Sequence, residues 1–282
     1  MVNETDKRKF EIPYNFDPNY IDTLLNCNLI NDSIAFIYVA PFSEDYTTII
    51  RDDPYGFYSL TREQYIEHIK KINKYFEGKM QLLLQKRDTI LPLEKLKQYV
   101  AMGFTHFCCG NPEQAKLIKE YNKELTVIGS IALHITRNDI ISKDYYQKYF
   151  DYFVLDFRYG RNLEAIKDMP DNKKYMILAN SLCHRLCDGD RHWFAKNTNG
   201  PIGCPGKYPW ENHNFEDSIL IRPMDLKYFD PYIEVFKMQD RSWPTWMVIR
   251  DLILYTTNYD MYPGIEYSEF LYDTVGVPRR EM

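Results

Sequence analysis

Short apolar runs that alternate with segments of helical periodicity are the feature that most constrains how this chain can fold. Most of these runs are apolar on both faces, which is typical of parallel strands that are covered by helices. The runs occupy residues 34–39, 80–84, 105–109, 126–131, 152–157, 175–179, 218–221 and 233–238. Amphipathic segments with helical spacing lie between them, among them residues 62–76, 92–102, 112–121 and 243–257.

Repeated strand–helix units predict an α/β fold of the (β/α)8 TIM-barrel type, whose active sites lie at the carboxyl ends of the strands. A doubly wound open sheet is the main structural alternative. The chain has neither a G-x-G-x-x-G after its first run nor a P-loop, so neither nucleotide motif is supported. No repeat or linker divides the 282 residues. We therefore predict one domain over 1–282, with an N-terminal lead-in at 1–30 and a long cysteine-rich loop at 181–217 after strand six.

Charge and termini exclude several classes of protein. The net charge is −5 and no block of Lys and Arg occurs, so we do not expect a nucleic-acid-binding surface. The N-terminus is polar, without the apolar core of a signal peptide, and no apolar run is long enough to span a bilayer. We expect a cytoplasmic protein that acts on a small-molecule or peptide substrate, and the sequence leaves a homo- or hetero-oligomer open.

A cysteine-rich loop follows the predicted sixth strand. Cys183 and Cys187 are separated by three residues, and Cys204 follows on a segment rich in Gly and Pro, so three thiolates could converge. Such soft ligands select zinc or an iron–sulfur cluster, although buried cysteines also occur together by chance. The fourth ligand stays open, and the candidates are Cys109, Cys108, His192 and Cys27.

Polar residues follow several of the predicted strands. Asp156 and Lys237 are candidate catalytic residues, because barrel enzymes use strand-end carboxylates as acids or bases and because an ammonium within an apolar run needs an anion or a polar cavity. A snorkelling lysine is the alternative for Lys237. Arg241 completes the catalytic candidates. The substrate-binding candidates are Arg158, Arg161, Asn180, Arg222 and Asp225.

Ordinary structural roles compete with these assignments. Asp156 and Asp225 could instead pair with a nearby arginine, and for Asp225 we favour that alternative. Three of the six histidines fall in the cysteine-rich loop. Any one histidine, including His134 after the predicted fourth strand, is more often a hydrogen-bonded structural residue than a ligand or base. We therefore select only His192, as a metal-ligand candidate.

Two segments of the sequence resemble the U32 peptidase family. The stretch from Tyr152 to Cys187 reads YFVLDFRYGRNLEAIKDM and then YMILANSLCHRLC, with a strand, an Asn and paired cysteines in the family's order. The later segment SILIRPMDLKYFDPYIEVFKMQDRSWPTWMVIRDLILY is similar to the family's RPxDL, FK and GR elements and its final helix. Asp240 stands where the family has Gly, and no cysteine follows Cys204.

The resemblance implies a barrel fold and a 4Fe-4S cluster held by cysteines, here at Cys183, Cys187 and Cys204. It also implies that four residues match the family's later motif: Arg222, Asp225, Lys237 and Arg241. The first functional hypothesis is an iron–sulfur barrel enzyme that modifies a small or medium, anionic organic substrate by hydroxylation or a related redox step. The alternatives are a metal-dependent or U32-type peptidase, with zinc or no metal, and a non-catalytic partner protein with a degenerate site.

Overall fold

A computed structural model describes residues 8–28, 30–46, 55–156, 159, 162–181, 220–239 and 243–259. Eight parallel strands follow one another in chain order around a closed barrel, which confirms the predicted (β/α)8 fold class. The strands are β1 (Phe10–Pro13), β2 (Ile34–Val39), β3 (Met80–Leu84), β4 (His106–Cys109), β5 (Thr126–Gly129), β6 (Tyr152–Val154), β7 (Lys174–Leu178) and β8 (Val235–Lys237).

The first strand of the barrel lies in the segment that the sequence analysis treats as a lead-in. Phe10–Pro13 pairs with β2 on one side and with β8 on the other, so it closes the barrel. Its sequence, FEIP, contains a Glu and a Pro, which are both depleted in strands. Pro13 is tolerated because it is the last residue of the strand, and Glu11 because its side chain has partners inside the barrel.

The predicted strand at 218–221 is wrong in its described part. Leu220 and Ile221 belong to no strand, although both are buried. Ile221 donates its backbone N–H to the carbonyl of Ala179, just past β7, and its own carbonyl accepts from Tyr255. The apolar residues therefore pack as a buried connection, and β1 occupies the remaining place in the barrel.

Helices cover the outside of the barrel. They are α1 (Tyr20–Leu25), α2 (Arg62–Tyr75), α3 (Leu93–Ala101), α4 (Pro112–Tyr121), α5 (Arg137–Ser142), α6 (Asp144–Tyr149), α7 (Leu163–Lys167) and α8 (Thr245–Thr257). Local signals fix several starts: Thr61 and Gln64 form a capping box before α2, and the side chain of Asn111 accepts a hydrogen bond from the backbone of Glu113 in α4. None of the described helices is long and apolar enough to cross a membrane.

Alternate residues of each strand face opposite sides of the barrel wall. One set, including Leu83, Cys108, Ile128 and Val154, fills the barrel interior. The other set, including Cys109, packs between the strands and the helices in the larger core. Because the strands are parallel, their carboxyl ends all lie at one end of the barrel, which we call the mouth.

Candidate active site at the barrel mouth

A histidine and a carboxylate meet at the mouth, past the ends of two neighbouring strands. Asp156 lies two residues beyond β6, on the same alternation as the inward-facing Val154, and its side chain is 0% exposed. His134 follows β5, and its Nδ1 is 2.5 Å from Oδ2 of Asp156. The histidine side chain is 14% exposed. A fully buried carboxylate is therefore hydrogen-bonded to a partly exposed imidazole at the edge of the barrel interior.

The backbone of His134 adopts an unusual conformation. It ends a short 3-10 turn, Ile131–Leu133, with φ 47° and ψ 45°, in the left-handed region. Residues other than glycine rarely occupy this region, at a cost of about 1–3 kcal/mol, and such strain concentrates at functional sites. The turn is held at its start by Ser130, whose hydroxyl accepts a hydrogen bond from the N–H of Ala132. The local structure thus orients the ring toward Asp156 despite that cost.

A second group of polar side chains lies inside the barrel. Lys237, the last residue of β8, forms an ion pair with Glu11 of β1, and its Nζ lies 4.0 Å from the ring centroid of Tyr38. Gln81 of β3 donates from Nε2 to Oε1 of Glu11 at 2.7 Å. We call Glu11, Tyr38, Gln81 and Lys237 the interior polar cluster. Lys237 is buried and paired with a carboxylate, as an ammonium within an apolar strand requires.

Asn180 connects the ends of two strands to the last helix. Its Nδ2 donates to the carbonyl of Gln239 at 2.8 Å and to Oδ2 of Asp251 in α8 at 3.0 Å. Its Oδ1 accepts from the N–H of Gln239 at 2.6 Å. These bonds engage both ends of the amide. This predicted substrate-binding residue therefore links the ends of β7 and β8 through the hydrogen bonds of its side chain.

Arg222 and Asp225 pair with each other at the start of the 3-10 helix Pro223–Tyr228. Nε of Arg222 is 2.8 Å from Oδ2 of Asp225, and both side chains are nearly buried. This is the ion pair that the sequence analysis favoured for Asp225. Lys237, a predicted catalytic residue, is likewise paired with Glu11, so it and the predicted substrate-binding residue Arg222 both already have carboxylate partners.

Cys109 faces away from the barrel interior. Its side chain belongs to the core between strands and helices, whereas that of Cys108 faces the interior. Burial, with a smaller contribution from Cys108, raises the pKa of the Cys109 thiol well above its ordinary value. The sulfur is directed into the apolar layer between the strands and the helices, away from the barrel interior. Among the described residues, no three His, Cys, Asp or Glu side chains form a group that could hold a metal.

Seven of the predicted site residues lie outside the described part of the chain. They are Arg158, Arg161, Cys183, Cys187, His192, Cys204 and Arg241. The ligand set and the arginine part of the substrate site therefore stay predictions from the sequence.

Four residues of the site were not selected from the sequence: His134, Glu11, Tyr38 and Gln81. His134 carried a usable signal, because it follows a predicted strand directly before the one that ends near Asp156. Glu11 had none of its own, since its strand was not recognised. The need of Lys237 for an anion was visible, but not that the anion lies 226 residues away along the chain.

Comparison with known proteins extends the description of the fold. No protein-family model and no curated protein matches the sequence. Among solved structures, the chain is similar to that of the U32 peptidase Mk0906, with a TM-score of 0.50 and 12% sequence identity. The match covers 85% of this chain and 96% of the other. At that identity the likeness extends to the fold alone: the chain has a U32-like (β/α)8 barrel.

Proposed function

We propose that the protein is a U32-like barrel enzyme that modifies a small or medium organic substrate at the mouth of its barrel. The observation that carries the proposal is the His134–Asp156 pair, a buried carboxylate bonded to a histidine where barrel enzymes have their active sites. Paired titratable side chains at strand ends are the usual means of proton transfer in this fold.

The two side chains have different roles in this proposal. With Asp156 ionised, Nδ1–H of His134 donates a hydrogen bond to Oδ2 of Asp156, which fixes the tautomer and the ring orientation. The lone pair then resides on Nε2, which is itself buried, so this nitrogen acts as the base on a substrate group that comes into direct contact with it. Asp156 stabilises the imidazolium that forms. It acts on the substrate only through His134 and is therefore a positioning residue.

Turnover can be tested without knowing the substrate. Purified protein is incubated with a small-molecule cell extract, and the compounds that it consumes are followed by mass spectrometry. We expect His134→Gln and Asp156→Asn to slow any such conversion by about 10²- to 10⁴-fold, the usual contribution of a positioned acid or base. His68→Gln is a matched control, because His68 lies on the outer helix α2, where its ring is hydrogen-bonded to Tyr14. A conversion that His134→Gln leaves at the wild-type rate refutes the role of the pair.

The proposal includes a 4Fe-4S cluster on Cys183, Cys187 and Cys204, which the spacing and the family resemblance support. A bound cluster would supply one-electron chemistry beside the substrate. We expect a negatively charged substrate to be bound by Arg158, Arg161 and Arg241, because Arg222 and Lys237 are already paired with carboxylates.

Protein purified without oxygen tests the cluster. We expect iron and sulfide on analysis and an EPR signal after reduction, both lost in Cys183→Ser and Cys187→Ser. Cys109→Ala should keep its iron, because that side chain lies on the helix side of β4. Colourless protein without iron after anaerobic reconstitution contradicts the cluster.

Peptide hydrolysis is the second candidate function. It is favoured by the likeness to a structure named a U32 peptidase, although that likeness covers only the fold. Stoichiometric zinc, together with peptide cleavage that a chelator abolishes, would select this function over the redox enzyme. Neither observation would change the expected role of His134 as a proton acceptor.

A further inference from the structure

Two oxygen atoms inside the barrel have no hydrogen-bond donor among the residues that the structure describes. Lys237 and Gln81 both bond to Oε1 of Glu11, but Oε2 of that carboxylate and Oε1 of Gln81 have no partner within the described part of the chain. Glu11 and Gln81 are each 0% exposed. Buried acceptors of this kind are nearly always satisfied in proteins, and the exceptions call for an unseen donor.

The two oxygens belong to one joined unit. Gln81 and Glu11 are hydrogen-bonded to each other at 2.7 Å, so the two remaining acceptors belong to neighbouring side chains. Two acceptor oxygens disfavour an anion. The ammonium of Lys237 already balances the charge of Glu11, and it would repel a second cation. The group that suits this site is therefore neutral and carries at least one O–H or N–H.

Only part of the interior polar cluster lies toward the mouth. Lys237 is the last residue of β8, and the hydroxyl of Tyr38 donates to the carbonyl of Met238, which follows that strand. These two side chains are each 4% exposed, whereas Glu11 and Gln81, the second residues of β1 and β3, lie deeper in the barrel and are 0% exposed.

We propose that Glu11 and Gln81 form a subsite inside the barrel that binds a neutral hydrogen-bond donor, an O–H or N–H group. Two sources share this chemistry: a resident water molecule, or a hydroxyl or primary amide of the substrate. The second source rests on the proposed function, whereas the first does not. In either case Glu11 fixes the ammonium of Lys237 while Gln81 supplies the second acceptor.

A crystal structure of the full chain, at a resolution that shows ordered water, tests the subsite directly. We expect electron density within hydrogen-bonding distance of both Oε2 of Glu11 and Oε1 of Gln81. Crystals are then soaked in acetamide, and separately in acetate and in methylammonium. Displacement of the density by acetamide alone identifies a substrate subsite, and water that persists in all three soaks identifies a resident water. Both outcomes support a neutral donor.

Other outcomes overturn the proposal. Binding of acetate or methylammonium between the two oxygens contradicts the charge argument. So does a structure in which Glu11 is protonated and bonds directly to Oε1 of Gln81 with no third group. Gln81→Met should abolish the density, whereas Gln114→Met, which alters another fully buried glutamine on α4, should retain it. None of these measurements requires turnover, so failure of the His134 experiment leaves their result unaffected.

Discussion

Removing one member of the Glu11–Lys237 ion pair should destabilise the barrel strongly. Glu11→Gln keeps the shape of the side chain but leaves a buried ammonium without its counter-ion. Because Glu11 is 0% exposed and Lys237 only 4%, the pair resembles a core ion pair and not a surface one. Breaking such a pair from one side costs about 3–5 kcal/mol. The contact of Lys237 with the ring of Tyr38 persists in this variant and offsets only part of that cost.

The assay is equilibrium unfolding in urea or guanidinium at neutral pH, compared across three variants. Glu11→Gln should lose about 3–5 kcal/mol of the free energy of unfolding, while the double change Glu11→Met with Lys237→Met should lose far less, because no charge is then left buried. Lys71→Met is the surface control: its ion pair with Asp22 is half-exposed, so the loss should stay below about 1 kcal/mol. If the free energy of unfolding of Glu11→Gln lies within about 1 kcal/mol of the wild-type value, the ion pair is not buried as described.

Two further predictions concern the loops at the mouth. Burial alone would raise the pKa of Asp45, but hydrogen bonds from Arg62, Lys95 and Tyr99 outweigh it and lower the pKa from 3.8 to about 2. At a pH above the ordinary pKa of 3.8, the lowered pKa contributes about 2 kcal/mol of stability. This contribution is lost as the pH falls through about 2. In acid unfolding, the stability advantage of the wild type over Asp45→Asn should therefore disappear near that pH. Gly110→Ala should reduce soluble yield and lower the melting temperature sharply, because the added Cβ would lie 2.0 Å from the backbone oxygen of Gln85. A normal melting temperature for Gly110→Ala would contradict the close approach of these two loops.

The periodicity of the sequence predicts most of the barrel. The apolar runs at 34–39 and 80–84 coincide with β2 and β3, and five more overlap their strands with shifted ends. Length and apolar character are sufficient there because both faces of a parallel strand are buried. The same reasoning fails for FEIP, where a charged residue is compensated only in the folded barrel, and for Leu220 and Ile221, which are buried outside any strand.

Side-chain direction was harder to predict than strand position. Cys108 and Cys109 are adjacent in a strand that is apolar on both sides, so the sequence cannot decide which sulfur faces the interior. Charge requirements were more informative: the buried Lys237 demanded an anion, and the structure supplies one. Partners that are distant in the chain, such as Glu11 and Lys237, depend on how the barrel closes. Local sequence does not encode that closure.

Closure of the barrel by its first strand also has a consequence for folding. β1 needs β8 as its second neighbour, and the contact between Glu11 and Lys237 spans 226 residues. During synthesis β1 can pair with β2 early, but its pairing with β8 must wait until residues 235–237 have been made. Contacts so distant in sequence are slow to form, because the loop between them must close first. Pairing of β1 with β8 should thus be a late step, and a fragment that ends before residue 235 should leave one edge of Phe10–Pro13 without its neighbouring strand and more sensitive to proteases.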